Sequence, residues 1–215
     1  MLITISREFG AGGSRVAALI AQSLGWTLVD NEFIDLVAKR AGLTPEEVAR
    51  REERVPGFVE RLARTLAVTS QEFAVPQPDA VAGLAEPELV RLTEAVVREV
   101  AELDHVVLVG RAATTVLARR EDALHVRIVA PRSFRVRMIE EREGLDARHA
   151  EARVEAMDAQ RARYHREYYE RDWTDPALYH MVLNTEALGF PGAAEVVVGR
   201  VREMGAGSRG RGAEA

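Results

Sequence analysis

The sequence predicts an open α/β fold, a five-stranded parallel sheet with helices on both faces. Two patterns lead there. Five short apolar runs are spread along the 215 residues, each followed by sequence of helical character, and such alternation marks parallel strands buried on both faces. The first run also opens directly into a glycine-rich turn and a helix, the arrangement that puts a ligand at the carboxyl ends of the strands in open α/β sheets. A length of 215 residues suits one domain, or a core with a lid.

The first strand is Leu2 to Ser6, and Ala17, Leu19, Ile20 and Leu24 give the following helix its apolar face. Thr27 to Val29 is the second strand, ending at Asp30. The stretch from 41 to 103 has no good strand and reads as a helical insertion. Within it, Thr44 to Glu47 has capping-box spacing and Glu86-Pro87-Glu88 starts another helix, with a mobile loop expected at Val68 to Gly83. Val106 to Val109 is the third strand, ending at Gly110 and Arg111. His125 to Val129 is the fourth, leading into helical patterns rich in arginine and glutamate at Arg132 to Glu143 and Ala147 to Glu170, and Met181 to Leu183 is the fifth. The reading is therefore a single domain over 1–204, with a core of 1–40 and 104–204, an insertion at 41–103 and a lid near 140–170. A tail at 205–215, with nothing to bury, is expected to be disordered.

Composition narrows the function. Hydrophobic residues make up 47% and charged residues 29% of the chain, a globular balance. Cysteine is absent, which removes disulfides, thiolate metal sites and cysteine nucleophiles and fits a reducing compartment, so a cytoplasmic location is expected. No run approaches 18 apolar residues, so no membrane span is expected. A net charge of -5 disfavours nonspecific nucleic-acid binding. The five histidines, His105, His125, His149, His165 and His180, have no metal-ligand spacing and no Gly-x-Ser-x-Gly turn occurs, so neither a metal site nor an acyl-transfer hydrolase is expected.

The sharpest feature is Ile3-Thr4-Ile5-Ser6-Arg7-Glu8-Phe9-Gly10-Ala11-Gly12-Gly13-Ser14-Arg15. Glycines let backbone N–H groups turn inward and the helix start adds partial positive charge, so strand, turn and helix together form an anion site. A dinucleotide fingerprint would meet Arg15 where a small residue must pack helix on strand. A phosphate-binding loop of the form G-x-x-x-x-G-K-[ST] fits better, although Arg7 stands at its first glycine and Gly13 at its lysine. The sole lysine, Lys39, is expected on a helix after the second strand, so any charge on bound phosphates must come from arginine.

With Leu28-Val29-Asp30-Asn31-Glu32, Val109-Gly110-Arg111 and Asp158-Ala-Gln-Arg161-Ala-Arg163-Tyr164 following in order, the chain from Leu2 to about Val198 resembles the cytidylate kinase-like family, a divergent branch of P-loop nucleoside monophosphate kinases. The resemblance implies a P-loop kinase-like three-layer sandwich with a helical acceptor-binding insertion and a helical lid. It also implies ATP with Mg2+ as phosphoryl donor and CMP, dCMP or a related small molecule as acceptor. Departures from authentic cytidylate kinases are Ala112, where those enzymes carry an aspartate, Leu36 at the acceptor-phosphate arginine, and Val154, beside Arg153, at the first lid arginine.

Residue roles follow. Gly10, Ala11, Gly12, Gly13 and Ser14 cradle the ATP phosphates. Arg15, one turn into the helix, is a candidate for part of the missing lysine's charge, a solvated arginine being the equal alternative, and Ser14 is a candidate magnesium ligand or an ordinary helix-start serine. Asp30 and Arg111, at strand ends, face the acceptor; Asp30 would serve equally as a helix N-cap. By resemblance, Asp158 orients Arg161, which closes on the transferring phosphoryl group, with Arg153 and Arg163 as helpers. Tyr164, Tyr168, Tyr169 and Trp173 read as packing between lid and core. The function expected is ATP-dependent phosphoryl transfer to a nucleoside monophosphate or another small acceptor. The rival from another class is a nucleotide-binding sensor without catalysis, which the missing lysine favours and the Asp158 and Arg161 pair disfavours. A dinucleotide-dependent oxidoreductase is weaker still. The sequence does not specify an oligomeric state.

Overall fold

A computed structural model describes residues 1–29, 90, 94, 97, 98, 100–110 and 112–210, with side chains as far as 205. The chain divides into two compact units, Met1–Leu28 with His105–Ala215, and Val29–Asp104. The second unit begins earlier than the insertion at 41–103 read from sequence. Most of it, including the helix starts at Thr44 and Glu86, the Val68 to Gly83 loop and Asp30, lies outside the described residues.

The larger unit carries the sheet, with strands β1 (Leu2–Arg7), β2 (Thr27–Val29), β3 (Val106–Val109), β4 (Ala123–Val129) and β5 (Met181–Asn184) in the order β2-β3-β1-β4-β5. β1 pairs in parallel with β3 and β4, and β4 with β5. β1 is therefore interior, and the turn that follows it opens at the carboxyl edge of the sheet between β3 and β4. The helices are α1 (Gly13–Leu24), α2 (Ala113–Val116), α3 (Arg132–Glu143), α4 (Ala147–Tyr169) and α5 (Thr185–Gly210).

One sheet face is covered by α1 and α5. Val16, Ala17 and Ile20 of α1 meet Ala193, Ala194, Val197, Val198 and Val201 of α5 over Ile3, Ile5, Val107, Val126 and Ile128. Helical spacing of small and β-branched residues makes that face flat enough to lie on a twisted sheet. α1 ends at Gly25 in the left-handed conformation, φ 68°, which lets the chain reverse into β2. α5 is broken by Gly189 (φ 65°, ψ 167°) ahead of Pro191, and this kink delivers Phe190 to the turn after β1. Its helical backbone continues to Gly210, past the point where the sequence reading begins a disordered tail.

The opposite face buries a polar chain. Thr4 Oγ1 lies 2.9 Å from Thr114 Oγ1 and 2.7 Å from His125 Nδ1, and the His125 ring stacks on His180 at 5.0 Å. The buried hydroxyls of Thr4 and Thr114 thus both have partners, as burial demands.

α3 and α4 form a helical hairpin around Ile139, Ala150 and Val154, with Phe9 from the turn after β1 packed against them. Asp146 caps α4 by accepting from the His149 N–H at 2.9 Å. The aromatic group closes the base of α4, with Tyr164 5.0 Å from Tyr168, His165 stacked over Trp173 at 6.3 Å, and Trp173 buried. No helix of the described residues is long and apolar enough to cross a membrane.

Candidate active site

The site is the turn from Arg7 to Gly13 and the side chains that hold it. Gly10 and Gly12 both adopt positive φ, 82° and 76°, the region where a Cβ is strained. Space is as restrictive as torsion. A Cβ on Gly10 would lie 2.7 Å from the Arg135 carbonyl oxygen, and one on Gly12 would enter the Phe190 ring, with Cδ1 at 2.8 Å. Gly12 is the residue before α1, so the first N–H groups of that helix, which have no partner within it, face outward from the turn.

The carbonyls of the turn are taken up by protein donors. Arg161 Nη1 donates to Arg7 O at 2.9 Å and Arg135 Nη1 to Phe9 O at 3.2 Å. The Ala11 N–H donates to Glu8 O at 3.2 Å, the Thr185 hydroxyl to Ala11 O at 2.8 Å, and the Val16 N–H to Gly12 O at 3.0 Å. With the carbonyls of Arg7, Glu8, Phe9, Ala11 and Gly12 engaged within the protein, the N–H groups at the start of α1 are left to a ligand, which is what binding phosphate requires.

Around it stands a charged network that ties β1, β4, α3 and α4 together. Glu8 accepts from the Ala130 N–H at 3.2 Å and pairs with Arg135 Nε at 3.4 Å and Arg127 Nη2 at 3.6 Å. Asp158 accepts from the Phe9 N–H at 2.9 Å and pairs closely with Arg135. Its contact with Arg161 is longer, 3.5 Å. Asp158 therefore holds the turn first and orients Arg161 second, a wider role than the sequence suggested. Arg127 is buried in β4, donates to Trp173 O at 2.5 Å and lies over the Trp173 ring at 4.2 Å.

The positive charges are crowded. Burial, then the nearby charges of Arg7, Arg127 and Arg135, push the Arg161 guanidinium well below its ordinary range, down to about 9, against the opposing pull of Asp158. Arg7, Arg127 and Arg135 each lie close enough to Arg161 to repel its charge. A site built so is poised for an anion, whose arrival relieves the repulsion.

Of the residues singled out from sequence, the structure brings Gly10, Ala11, Gly12, Gly13, Ser14, Asp158 and Arg161 to one place. Arg15 is exposed on α1 with its guanidinium 4.8 Å from the centre of the Phe190 ring. Asp30 and Arg111 lie outside the described residues. Arg153 sits over the Phe9 ring at 5.7 Å and 3.6 Å from Glu143. No cluster of three metal-ligating side chains exists among the described residues. Sequence reasoning passed over Glu8, Arg127 and Arg135. An arginine inside the apolar run Leu124 to Val129 was the available signal for Arg127, because a buried strand tolerates a charge only with partners.

The model of the cytidylate kinase-like family matches residues 2–187. The chain belongs to that family. Among relatives of this kinase-like chain, a cytidylate kinase of Natronomonas pharaonis is 30% identical over 200 residues, covering 92% of this chain and 87% of the relative. A cytidylate kinase of Halobacterium salinarum is 26% identical over 202 residues, covering 94% and 89%. Among solved structures, an uncharacterized protein of Eubacterium ventriosum superposes with a TM-score of 0.66 at 22% identity, covering 94% of this chain and 98% of that one. A shikimate kinase of Bacteroides thetaiotaomicron gives 0.50 at 16% identity, covering 95% and 97%. The fold is that of the P-loop kinases, and family and fold together support a nucleotide kinase.

A substitution at Gly12 separates packing from ligand binding. Gly12→Ala is expected to lower the melting temperature and to weaken ATP at least tenfold. Adding Phe190→Ala removes the steric conflict and should recover part of the melting temperature without recovering ATP affinity. Calorimetry showing full ATP affinity in the double variant would place the phosphates elsewhere.

Proposed function

We propose that the protein transfers the γ-phosphoryl group of Mg-ATP to a nucleoside monophosphate of the CMP or dCMP class, or to another small acceptor. The observation that carries this reading is the docking of Arg161, from the lid helix, onto the carbonyl of Arg7 at the mouth of the turn. A guanidinium fixed at the turn is suited to stabilising the charge that builds up on a phosphoryl group in transfer, which is the main thing phosphoryl transfer asks of a protein. The acceptor's oxygen attacks the γ-phosphorus as the bond to the bridging oxygen of the leaving ADP breaks. An acceptor phosphate is already anionic and needs no base. The Gly10 to Ser14 backbone holds the donor phosphates, Glu8 and Asp158 keep the turn in shape, and Asp30 and Arg111 are assigned to the acceptor. Magnesium bound with the nucleotide would neutralise phosphate charge. Within the protein Ser14, second in α1, is the hydroxyl that would bind it, and the donor-rich turn with arginines crowded around it fits a polyphosphate.

ATP consumption measured across nucleoside monophosphates and small hydroxyl or phosphate acceptors tests the reading. Turnover with one acceptor class supports it. The sensor reading draws on Gly13, which leaves the lysine position uncharged, and is favoured if ATP binds and no acceptor is turned over.

Asp158→Asn keeps the shape of the carboxylate and removes the charge that Arg135 and Arg161 face. A lost charged hydrogen bond costs about 1.5 to 3 kcal/mol, so kcat/KM is expected to fall about tenfold or more. Steady-state kinetics unchanged from wild type would make the Phe9 and Arg135 contacts dispensable.

A further inference from the structure

The cation missing from the helix start has a counterpart on the other side of the turn. Gly13 occupies the place from which a P-loop lysine would reach the outer phosphates, and it has no side chain. The space a side chain would need there is filled by Arg7, since a Cβ on Gly13 would lie 2.5 Å from Arg7 Cβ and 2.7 Å from Arg7 Cγ. The arginine continues along the sheet edge to the end of β3, where a Cβ on Gly110 would run into its guanidinium, with Cζ at 3.0 Å. Gly110 itself has φ 78° and is fixed by its N–H to Ile5 O at 3.0 Å. Two glycines from separate segments, one at each end of the side chain, thus make room for a single arginine. The guanidinium they admit is close enough to Arg161 for its charge to be felt there.

We propose that Arg7 does the work of the P-loop lysine: its guanidinium binds the outer phosphates of ATP from the strand side of the turn, and Gly13 is glycine because Arg7 must cross it. This rests on the assignment of ATP to the turn. It moves the compensating charge from Arg15, which lies over Phe190, to the residue that ends β1. A planar guanidinium with several donors suits two neighbouring phosphates better than a point charge does. The exchange also explains why charge and glycine occupy opposite ends of the turn from those in the lysine-bearing pattern, since the two side chains would compete for one channel.

The test is ATP and AMP affinity by calorimetry in wild type, Arg7→Ala, Arg7→Lys, Gly13→Lys, Arg15→Ala and the double variant Arg7→Gly with Gly13→Lys, each checked for folding by its melting curve. Arg7→Ala is expected to weaken ATP by about 10- to 100-fold and AMP by less than about threefold, because only ATP carries the outer phosphates. Arg7→Lys should recover part of the loss. The double variant, which returns a lysine to the helix start and clears its path, should recover more than Gly13→Lys alone, where the lysine meets the Arg7 stem. Equal losses for ATP and AMP, or a double variant no better than Arg7→Ala, overturn the assignment, as does loss of ATP in Arg15→Ala with retention in Arg7→Ala. Failure of wild type to bind ATP overturns the kinase reading, and this proposal with it. Wild-type binding with an unchanged ATP to AMP ratio in Arg7→Ala overturns this proposal alone.

Discussion

Replacing Arg161 with alanine is expected to lower kcat by about tenfold to a thousandfold, roughly 1.4 to 4 kcal/mol of transition-state stabilisation. The loss in ATP affinity should be smaller. The guanidinium is held by Arg7 O and Asp158 beside three other arginines, and burial with those charges brings it down to about 9. Such a group interacts most strongly when the most negative charge is present, and in phosphoryl transfer that charge is spread over the oxygens of the group in flight. Because Arg161 is fixed before the substrate arrives, little reorganisation accompanies the reaction. Lysine in its place cannot span Arg7 O, Asp158 and a phosphate together, so Arg161→Lys should fall between alanine and wild type. The measurement is steady-state transfer to the best acceptor from the screen, with direct ATP binding alongside. Turnover that survives Arg161→Ala removes α4 from the mechanism, and a large loss of ATP affinity in a protein without turnover fits a sensor instead.

The features legible in the sequence were those governed by short-range pattern. All five strands stand where apolar runs placed them, most plainly Val106 to Val109, which is apolar and buried throughout. The turn was legible because glycine at Gly10 and Gly12 answers a torsional need that few other residues meet. Contacts across long separations were not. Nothing near Asp158 in sequence announces that its carboxylate takes the N–H of Phe9, 149 residues away. Arg135 was hidden among the arginines and glutamates of α3, most of which form exposed pairs such as Arg132 with Glu151. Arg7 was visible only as a mismatch to the lysine-bearing pattern, and its meaning depends on the room left at Gly13 and Gly110, which appears only in three dimensions.

Acidification from about pH 7 to about pH 5 is expected to destabilise the fold. Burial, with the charge of nearby His180, pushes His125 from its ordinary 6.5 down to about 4, offset in part by backbone hydrogen bonding at Leu117. Burial beside Arg127 and Arg161 brings His165 to about 4 as well. The unfolded chain takes up these protons near 6.5 and the folded chain resists until about 4, so in that window the unfolded state binds more protons and stability falls as pH falls. The contribution is fully present above 6.5 and has been lost below about 4. Asp122, Asp146 and Asp172 are held below their ordinary 3.8 and do not titrate in the same window. Between about pH 7 and about pH 5 the linkage amounts to about 2 kcal/mol for His125 and up to as much again for the less deeply buried His165. That is a large part of the stability of an ordinary domain. Protonated His125 would also face His180 across a 5.0 Å stack, and the Thr4 hydroxyl would have to accept from a charged ring. Urea unfolding at the two pH values measures the effect. His125→Gln should flatten the pH dependence by about half while costing some stability at neutral pH. A wild-type unfolding free energy that stays constant between about pH 7 and about pH 5 would show that neither histidine resists protonation in the folded state.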